Sequence, residues 1–377
     1  MMIKKILIVS ILSLYAATLT VSAETTDERI ERMEKELKEL KQQVNATADA
    51  VEAKGSSAMD RTTVGGYGEL HYNNLDTPSG DKKSIDFHRF VLFFGHEFND
   101  DIRFFSELEL EHSLSGDGKP GEVELEQAYI EFDITDSTQA KGGLFLIPVG
   151  IINETHEPPT FYGVERNPVE KNIIPATWWE AGAALGGQIG ATGLSYDVAI
   201  TSGLEVDPAS VKIRSGRQKV AKAKADNLAY TGRIKYTGIP GLEIAGTVQY
   251  QDDISQADND GLDEAILYST HVALEKAGFG LRALYAAWDI SGVAAESTGK
   301  DKQDGYYVEA GYKFTPKVGI FARHNAWSND SVKDKEQTDV GINWWPHKDV
   351  VIKADYQSQN ADAGDADGFN LGIGYQF

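Results

Sequence analysis

Alternation of apolar and polar residues runs through most of the chain after Asp60. At the carboxyl end, Leu371, Ile373, Tyr375 and Phe377 alternate with polar residues or glycine. Successive side chains of a β-strand point to opposite faces, so this period of two predicts strands with one apolar face. We place sixteen such strands, near residues 62–73, 82–98, 101–113, 122–134, 138–147, 180–190, 193–202, 226–236, 240–252, 264–275, 278–290, 303–314, 317–328, 335–345, 349–359 and 367–377.

The connections between these strands differ systematically in length. Each even-numbered strand before the last is followed by a tight turn, whereas the odd-numbered strands are followed by polar loops of roughly 7 to 32 residues. Short turns at one rim and long loops at the other are typical of outer-membrane barrels. The sequence therefore predicts an all-β fold, a sixteen-stranded antiparallel transmembrane β-barrel over residues 62–377. Six strands that run toward the short-turn rim end in an aromatic residue, as expected for rings at the lipid–water boundary: Phe98, Phe132, Tyr236, Phe314, Trp344 and Phe377.

Residues 1–23 have the pattern of a secretory signal peptide. Two lysines precede an apolar stretch from Ile6 to Thr20, and the small residues of Val21–Ala23 offer a cleavage site. The alternative is an uncleaved membrane anchor. The serines and threonines of the stretch make it less apolar than a typical membrane-spanning helix, which favours cleavage. We therefore expect export, with the barrel in the outer membrane of a Gram-negative bacterium.

Residues 24–54 show a different period, with Glu and Lys between the apolar positions. A narrow apolar stripe with heptad spacing has nothing to be buried against except another copy of itself. The pattern predicts a short N-terminal α-helical coiled coil, a periplasmic stem that could contact the cell wall, with residues 55–61 as a linker. The alternative is a solvated charged helix. The apolar positions are Ile30, Met33, Leu37, Leu40, Val44 and Val51.

Composition narrows the function classes. The chain has 36 basic and 58 acidic residues, a net charge of −22, which becomes −24 once Lys4 and Lys5 leave with the signal peptide. So large an acidic excess repels nucleic acid, and the absence of cysteine excludes a disulfide scaffold. A mean hydropathy of −0.35 is compatible with a barrel, because its strands are apolar on one face only.

The polar face of the predicted strands indicates a water-filled lumen. A Lys or Arg that faces lipid at the bilayer midplane costs about 2–4 kcal/mol, so the charged positions must point inward. Sixteen strands leave an aqueous channel, whereas about eight would be filled by side chains. The alternative is that opposite charges that face each other form ion pairs across the wall and give the channel no ion selectivity. The predicted lining residues of the strands are Arg103, Glu107, Glu109, Glu131, Asp133, Arg233, Lys235, Arg282, Arg323 and Lys353.

The longest predicted loop, residues 148–179, is unusually apolar for a solvated segment. It contains five prolines, two isoleucines toward each of its ends, and the aromatic residues Phe161, Trp178 and Trp179. We expect it to fold into the barrel as a constriction loop, where Arg166 and Lys171 would narrow the channel. The alternatives are an outer cap or a subunit contact.

The stretch from Pro208 to Ala225 carries six basic residues and no acidic one. On an outer loop it could raise the local concentration of anions at the channel mouth. It could equally bind the phosphates of lipopolysaccharide.

The sequence offers no sign of catalysis. The eight histidines are scattered without a paired ligand spacing, so we expect no metal, no cofactor and no enzyme. Two functions remain: a porin for passive diffusion of small hydrophilic solutes or ions, or a structural or adhesive envelope protein anchored by a closed barrel. Conductance distinguishes the two.

Several segments resemble the phosphate-selective porins of the O and P type and their broader relatives. The resemblance covers the whole barrel and is clearest in TVGGYGELHYN (63–73), FHRFVLFFGHEF (87–98) and ELEQAYIEFDI (124–134). It implies a homotrimer of sixteen-stranded barrels whose third outer loop folds into the pore, and anion binding through Arg and Lys. Here Glu107, Glu109, Glu131 and Asp133 share the inferred lumen with those basic residues.

Overall fold

The structure is a computed structural model that describes residues 61–257, 260–329, 335–360 and 365–377. The predicted signal peptide, the coiled-coil stem and the linker up to Asp60 lie outside these residues. No helix among the described residues is long and apolar enough to cross a membrane.

The described chain forms one closed antiparallel barrel, which confirms the predicted fold class. Each of sixteen strands pairs with its neighbours in sequence, and the first pairs with the last. The bounds are β1 Thr62–Asp76, β2 Lys82–Glu97, β3 Ile102–Glu111, β4 Val123–Thr135, β5 Thr138–Leu146, β6 Trp179–Gln188, β7 Leu194–Thr201, β8 Ala229–Tyr236, β9 Leu242–Gln251, β10 Ala265–Lys276, β11 Phe279–Ile290, β12 Lys302–Thr315, β13 Val318–Ser328, β14 Lys335–His347, β15 Val350–Asn360 and β16 Asp367–Gln376.

Among the described residues, two short α-helices lie in the long connections, together with 3₁₀-helices at Pro158–Thr160 and Ile213–Gly216. Helix α1, Pro168–Asn172, belongs to loop L3, which we define as residues 147–178 between β5 and β6, and helix α2, Val293–Thr298, follows β11. Loop L4 comprises residues 202–228 between β7 and β8. The side chain of Asn167 caps α1, since its Oδ1 accepts the amide proton of Glu170.

Closure of the barrel joins its two chain ends directly. The amide of Gly66 donates to the carbonyl of Phe377 at 3.0 Å, and the amide of Phe377 donates back to Gly66 at 2.9 Å. Because each strand has hydrogen-bonded neighbours on both sides, the sheet presents no open edge to lipid.

The outer face of the barrel is an apolar band. Along β12 and β14 exposed and buried residues alternate, and the exposed positions include Val308, Val340 and Ile342. At the short-turn rim the side chains of Phe98 and Phe314 are also exposed. This arrangement fits strands that contact lipid on one side and the lumen on the other.

The hydrophobic core of the protein lies inside the barrel. It joins L3, L4, the loop after β9 and the inward faces of β10 to β13 near their long-loop ends. At these ends of β10 to β12 the prediction of a polar inward face is wrong, because the inward residues there are apolar. The reason is that these residues pack on loops and not on water. Core members include Ile147, Ile173, Trp178, Leu204, Ile213, Ile254, Leu267, Leu284, Trp288, Tyr307 and Trp327.

The closing strand leaves no room for a side chain at Gly66. A Cβ there would lie 2.2 Å from the carbonyl oxygen of Val91 and 3.1 Å from the ring of Phe377. At Gly246 on β9 no atom lies within 4 Å of the corresponding position. We expect Gly66→Ala to lower the stability of the refolded barrel by about 1–3 kcal/mol. Gly246→Ala should stay within about 0.5 kcal/mol of the wild type.

Urea titration of the refolded variants, read out as heat-modifiable migration in SDS gels, measures this difference. Equal urea midpoints for the two alanine variants would contradict the close approach at the closure.

Candidate functional site

Loop L3 is held in its fold by two buried polar side chains. Oε2 of Glu170 accepts the backbone amides of Ile151 and Ile152 at 2.8 and 2.7 Å, and its other oxygen accepts the hydroxyl proton of Tyr307 at 2.9 Å. Asn153 donates to the carbonyl of Trp178 at 3.0 Å and accepts the amide of the same residue at 2.7 Å. These bonds satisfy backbone groups that would otherwise be orphaned inside the apolar core.

The same loop is attached to the wall formed by β13 to β16. Lys353 donates from Nζ to the carbonyl of Gly163 at 2.7 Å, and its ammonium lies 3.6 Å from the ring centroid of Phe161. Asp355 accepts the amide of Val164 at 2.6 Å. Arg323, also buried, reaches loop carbonyls at 3.4 Å. Two predicted lining residues, Arg323 and Lys353, thus fasten L3 to the wall.

Loop L4 braces L3 from the other side. Arg214 donates to the carbonyl of Lys171 at 3.1 Å and to that of Ala176. Arg217 donates to the carbonyl of Thr177, whose hydroxyl accepts from Arg166 at 2.7 Å. The result is a group of four basic side chains at the meeting of L3 and L4, which we call the basic cluster: Arg166, Lys171, Arg214 and Arg217.

The side chains of the basic cluster form no direct ion pair with a carboxylate. Within the described residues, no Asp or Glu oxygen lies within 4.0 Å of a cationic nitrogen of these four side chains. Burial, together with the charges of Arg217 and Arg166, lowers the pKa of Arg214 to about 9. That pKa is still above neutral pH, so the guanidinium keeps its charge in a net positive surrounding.

The wall opposite the basic cluster is acidic, and most of its charges are paired. Arg89 on β2 lies 2.8 Å from Glu69 and 3.6 Å from Glu109. Glu107 contacts His156 of L3 at 3.3 Å and accepts from the side chain of Gln127 at 2.8 Å. The predicted lining residues Glu107 and Glu109 are therefore deeply buried members of this wall.

Two adjoining cavities separate the basic cluster from the wall. One, of about 480 Å³, is lined by Arg166 and Lys171 together with residues of β1, β2 and β13 to β15. The other, of about 210 Å³, adds Arg89 and Arg214 to its lining. The open space beside the basic cluster thus lies between L3 and the strands that line these two cavities.

The remaining predicted lining residues lie in charged groups on the strands. Arg103 bonds Glu131 at 2.7 Å and Asp133 at 2.5 Å on the neighbouring strand. Arg282 donates to the carbonyl of Thr160 at 2.9 Å. Pairing across neighbouring strands, one of the two interpretations of the sequence, applies to Arg103.

Strands β4 to β8 enclose a further cavity of about 220 Å³, lined by Glu131, Arg233 and Lys235. Arg233 is paired with Asp197 at 2.8 Å and with Glu154 of L3. Pairing therefore also applies to Arg233.

Four residues of this site were not assigned to the lumen from the sequence. Arg214 and Arg217 belong to the basic stretch that pattern alone left between an anion funnel and a lipopolysaccharide contact, and only the fold turns them toward L3. Arg89 and Glu126 were missed because β-bulges change the parity of β2 and β4. A count of alternating positions cannot locate a bulge.

Glu170 is the residue on which we expect the fold of L3 to depend. Glu170→Ala removes four buried hydrogen bonds, each worth about 1–3 kcal/mol when one partner stays behind unsatisfied. We expect trypsin to cleave the folded variant after Arg166 or Lys171 at least tenfold faster than the wild type, measured by mass spectrometry of timed digests. Glu157→Ala removes the same charge from the same loop, where no hydrogen bond of the side chain is described, and should digest like the wild type.

Comparison with known proteins places this geometry in a family. The family model for phosphate-selective porin O and P matches residues 63–377. An uncharacterised protein of Aquifex aeolicus (strain VF5) is 30% identical over 361 residues, which cover 84% of this chain and 80% of that protein.

Three solved structures share the fold at low identity, each over 84% of this chain. An anion-selective porin from Comamonas acidovorans matches with a TM-score of 0.60 at 10% identity, over 99% of that chain. The outer membrane channel DcaP of Acinetobacter baumannii matches at 0.58 and 12%, over 97% of that chain. The trimer form of OmpT from Vibrio cholerae matches at 0.54 and 11%, over its whole chain. With the family match over the entire barrel, these likenesses lead to one conclusion: the chain belongs to the phosphate-selective porin O and P family.

Proposed function

We propose that this porin is an outer-membrane channel through which small hydrophilic anions diffuse passively, and that they pass between L3 and the wall of β1 to β4. The observation that carries the proposal is the basic cluster. Three of its side chains, Arg166, Lys171 and Arg214, border the cavities beside L3, and within the described residues none of the four is paired with a carboxylate.

The physical argument rests on the difference between paired and unpaired charge. The carboxylates Glu69 and Glu109 share Arg89, so the guanidinium offsets part of their negative charge. The guanidinium groups of Arg214 and Arg217 donate to neutral carbonyls, so no directly bonded carboxylate offsets their positive charge. The electrostatic field of these cations is stronger in a confined passage with little water than in bulk solution. Anions therefore enter the passage in preference to cations.

Small oxyanions such as phosphate are the solute class that fits these side chains best. The planar guanidinium presents several donors in a fork that matches two oxygens of one anion. The family's description as phosphate-selective and the anion-selective porin among the structural relatives support this choice.

The proposal extends to the setting of the barrel. We expect a homotrimer in the outer membrane, with residues 24–54 as a periplasmic coiled-coil stem and the exposed lysines of L4, Lys212 and Lys222, near lipopolysaccharide. The family and the trimer form of OmpT support a threefold assembly. Chemical cross-linking in mild detergent should give a trimer band, and monomers alone would contradict it.

Ion selectivity in planar bilayers tests the role of the basic cluster. Across a tenfold KCl gradient we expect a reversal potential on the anion-selective side for the wild type. The double variant Arg214→Gln and Arg217→Gln removes two unpaired positive charges, so we expect the ratio of chloride to potassium permeability to fall at least threefold.

The matched control removes a positive charge outside the passage. Lys348 lies exposed in the turn between β14 and β15, and Lys348→Gln should leave the permeability ratio unchanged. A wild-type channel that prefers cations, or a double variant with an unaltered ratio, would overturn the anion proposal. A barrel without conductance would overturn the channel itself and favour an anchored envelope protein.

A further inference from the structure

Three histidines that are separated along the sequence come together near the long-loop ends of β1 to β3. His71 lies on β1, His88 on β2, and His112 directly after β3. The rings of His71 and His88 are stacked with centroids 4.7 Å apart, and the ring of His112 lies edge-on to His88 at 5.5 Å. Asp86 completes the group, which we call the histidine cluster.

A single carboxylate oxygen connects two of these imidazoles. Oδ2 of Asp86 lies 3.1 Å from Nδ1 of His88 and 2.8 Å from Nδ1 of His112. The potential ligand atoms of these three residues all lie within 4.8 Å of one another. One oxygen and two ring nitrogens therefore converge on a common point.

Two departures from regular strand geometry produce this convergence. His88 is the extra residue of a β-bulge, since Leu70 pairs with Phe87 and Glu69 pairs with Arg89. His112 has φ of 52°, a left-handed conformation that is uncommon for residues other than glycine. Bulges and left-handed residues re-aim side chains. Here both turn an imidazole toward the same carboxylate.

The chemistry of the three groups suits a borderline divalent metal ion. Imidazole nitrogen and carboxylate oxygen are ligands of Zn²⁺, at about 2.0–2.2 Å, and a tetrahedral site then separates its ligand atoms by about 3.4 Å. The two observed separations of 2.8 and 3.1 Å fall a few tenths of an ångström short of this value. A small outward movement of the side chains would admit the ion. Imidazole ligands also favour such an ion over Mg²⁺ or Ca²⁺, which prefer oxygen alone.

The cluster is open to solution on one side. Asp86, His88 and His112 line the cavity of about 480 Å³, and their side chains are between 26% and 33% exposed. Three protein ligands would leave a fourth position that faces the cavity, where a water molecule or an anion can bind.

A second layer of groups supports the cluster from behind. Nδ1 of His71 lies 3.0 Å from Glu165 of L3, and its Nε2 lies 3.1 Å from Glu69. These two carboxylates add negative charge beside the ligands. The nearby cation Arg89 is itself paired with Glu69 and Glu109, so its repulsion of a metal ion is reduced.

We propose that Asp86, His88 and His112 form a binding site for Zn²⁺ or a chemically similar divalent transition-metal ion in the wall of the passage. Since Arg166 and Lys171 line the same cavity, the bound ion adds two positive charges to a passage that already contains basic side chains. This second part rests on the proposed channel function: an occupied site raises the preference for anions.

Direct binding tests the site without any reference to conduction. Zn²⁺ is titrated by calorimetry into the detergent-solubilised full barrel after chelator treatment. We expect one Zn²⁺ per chain, no heat from Mg²⁺, and at least tenfold weaker binding in the double variant His88→Gln and His112→Gln. His347→Gln changes an exposed histidine at the end of β14 and is the matched control, so its affinity should equal that of the wild type.

A further variant guards against misfolding. If the double variant lacks the heat-modifiable band of a folded barrel, Asp86→Asn keeps the size of the side chain and tests the same ligand set. No binding to the wild type, or equal binding to the wild type and to a folded ligand variant, would overturn the site.

Conduction then tests the consequence separately. Saturating Zn²⁺ should shift the reversal potential of the wild type toward anions and leave the ligand variant unchanged. Binding without this shift would overturn the effect on selectivity while the metal site stands. A barrel that binds Zn²⁺ but does not conduct would overturn the proposed channel and not the site.

Discussion

The burial of an apolar loop inside the barrel is the constraint on which the rest of this structure depends. L3 carries Ile173, Ile174 and Trp178, all with no exposed surface, and they need a place away from water. The inward faces of β10 to β12 supply it with Leu267, Leu284 and other apolar residues. Because this core fills the lumen beside the long-loop ends of β10 to β13, the open space next to the basic cluster lies on the side of β1, β2, β14 and β15. The position of the passage is thus a consequence of hydrophobic packing.

The polar residues divide into two classes according to what the packing requires of them. Arg323 and Lys353 are buried and bonded to L3, so their contribution is to hold the loop. Leaving such charges unpaired in the interior would be costly, and Arg323 is accordingly paired with Asp339 at 3.0 Å. The basic cluster is different, since Arg166, Lys171 and Arg214 border open cavities where water and ions can solvate them. A lumen-facing charge is therefore a poor guide to selectivity until its partners are known.

Sequence reasoning succeeded where the determining interactions are local. Alternation along a strand and the length of a turn follow from neighbouring residues, so the sixteen strands of the barrel were predictable. The apolar inward faces of β10 to β12 depend on a loop more than ninety residues away, as the bond from Trp288 to the carbonyl of Ile173 illustrates. The bulges at His88 and Glu126 depend on register between strands. An alternation of period two contains no information on long-range packing or on register between strands. The sequence pattern therefore predicted neither the apolar inward faces of β10 to β12 nor the histidine cluster.

The arginines of L4 show how one side chain can combine anchoring with charge. Arg214 and Arg217 fix L3 by donating to the carbonyls of Ala176 and Thr177, which are neutral acceptors. Arg103 is bonded as firmly, but to Glu131 and Asp133, and its charge is cancelled in the process. A guanidinium has more donors than one carbonyl can use, so those left over can meet an anion in the passage. Bonding to backbone oxygen therefore orders the cation and leaves its field intact, a combination that an ion pair cannot provide.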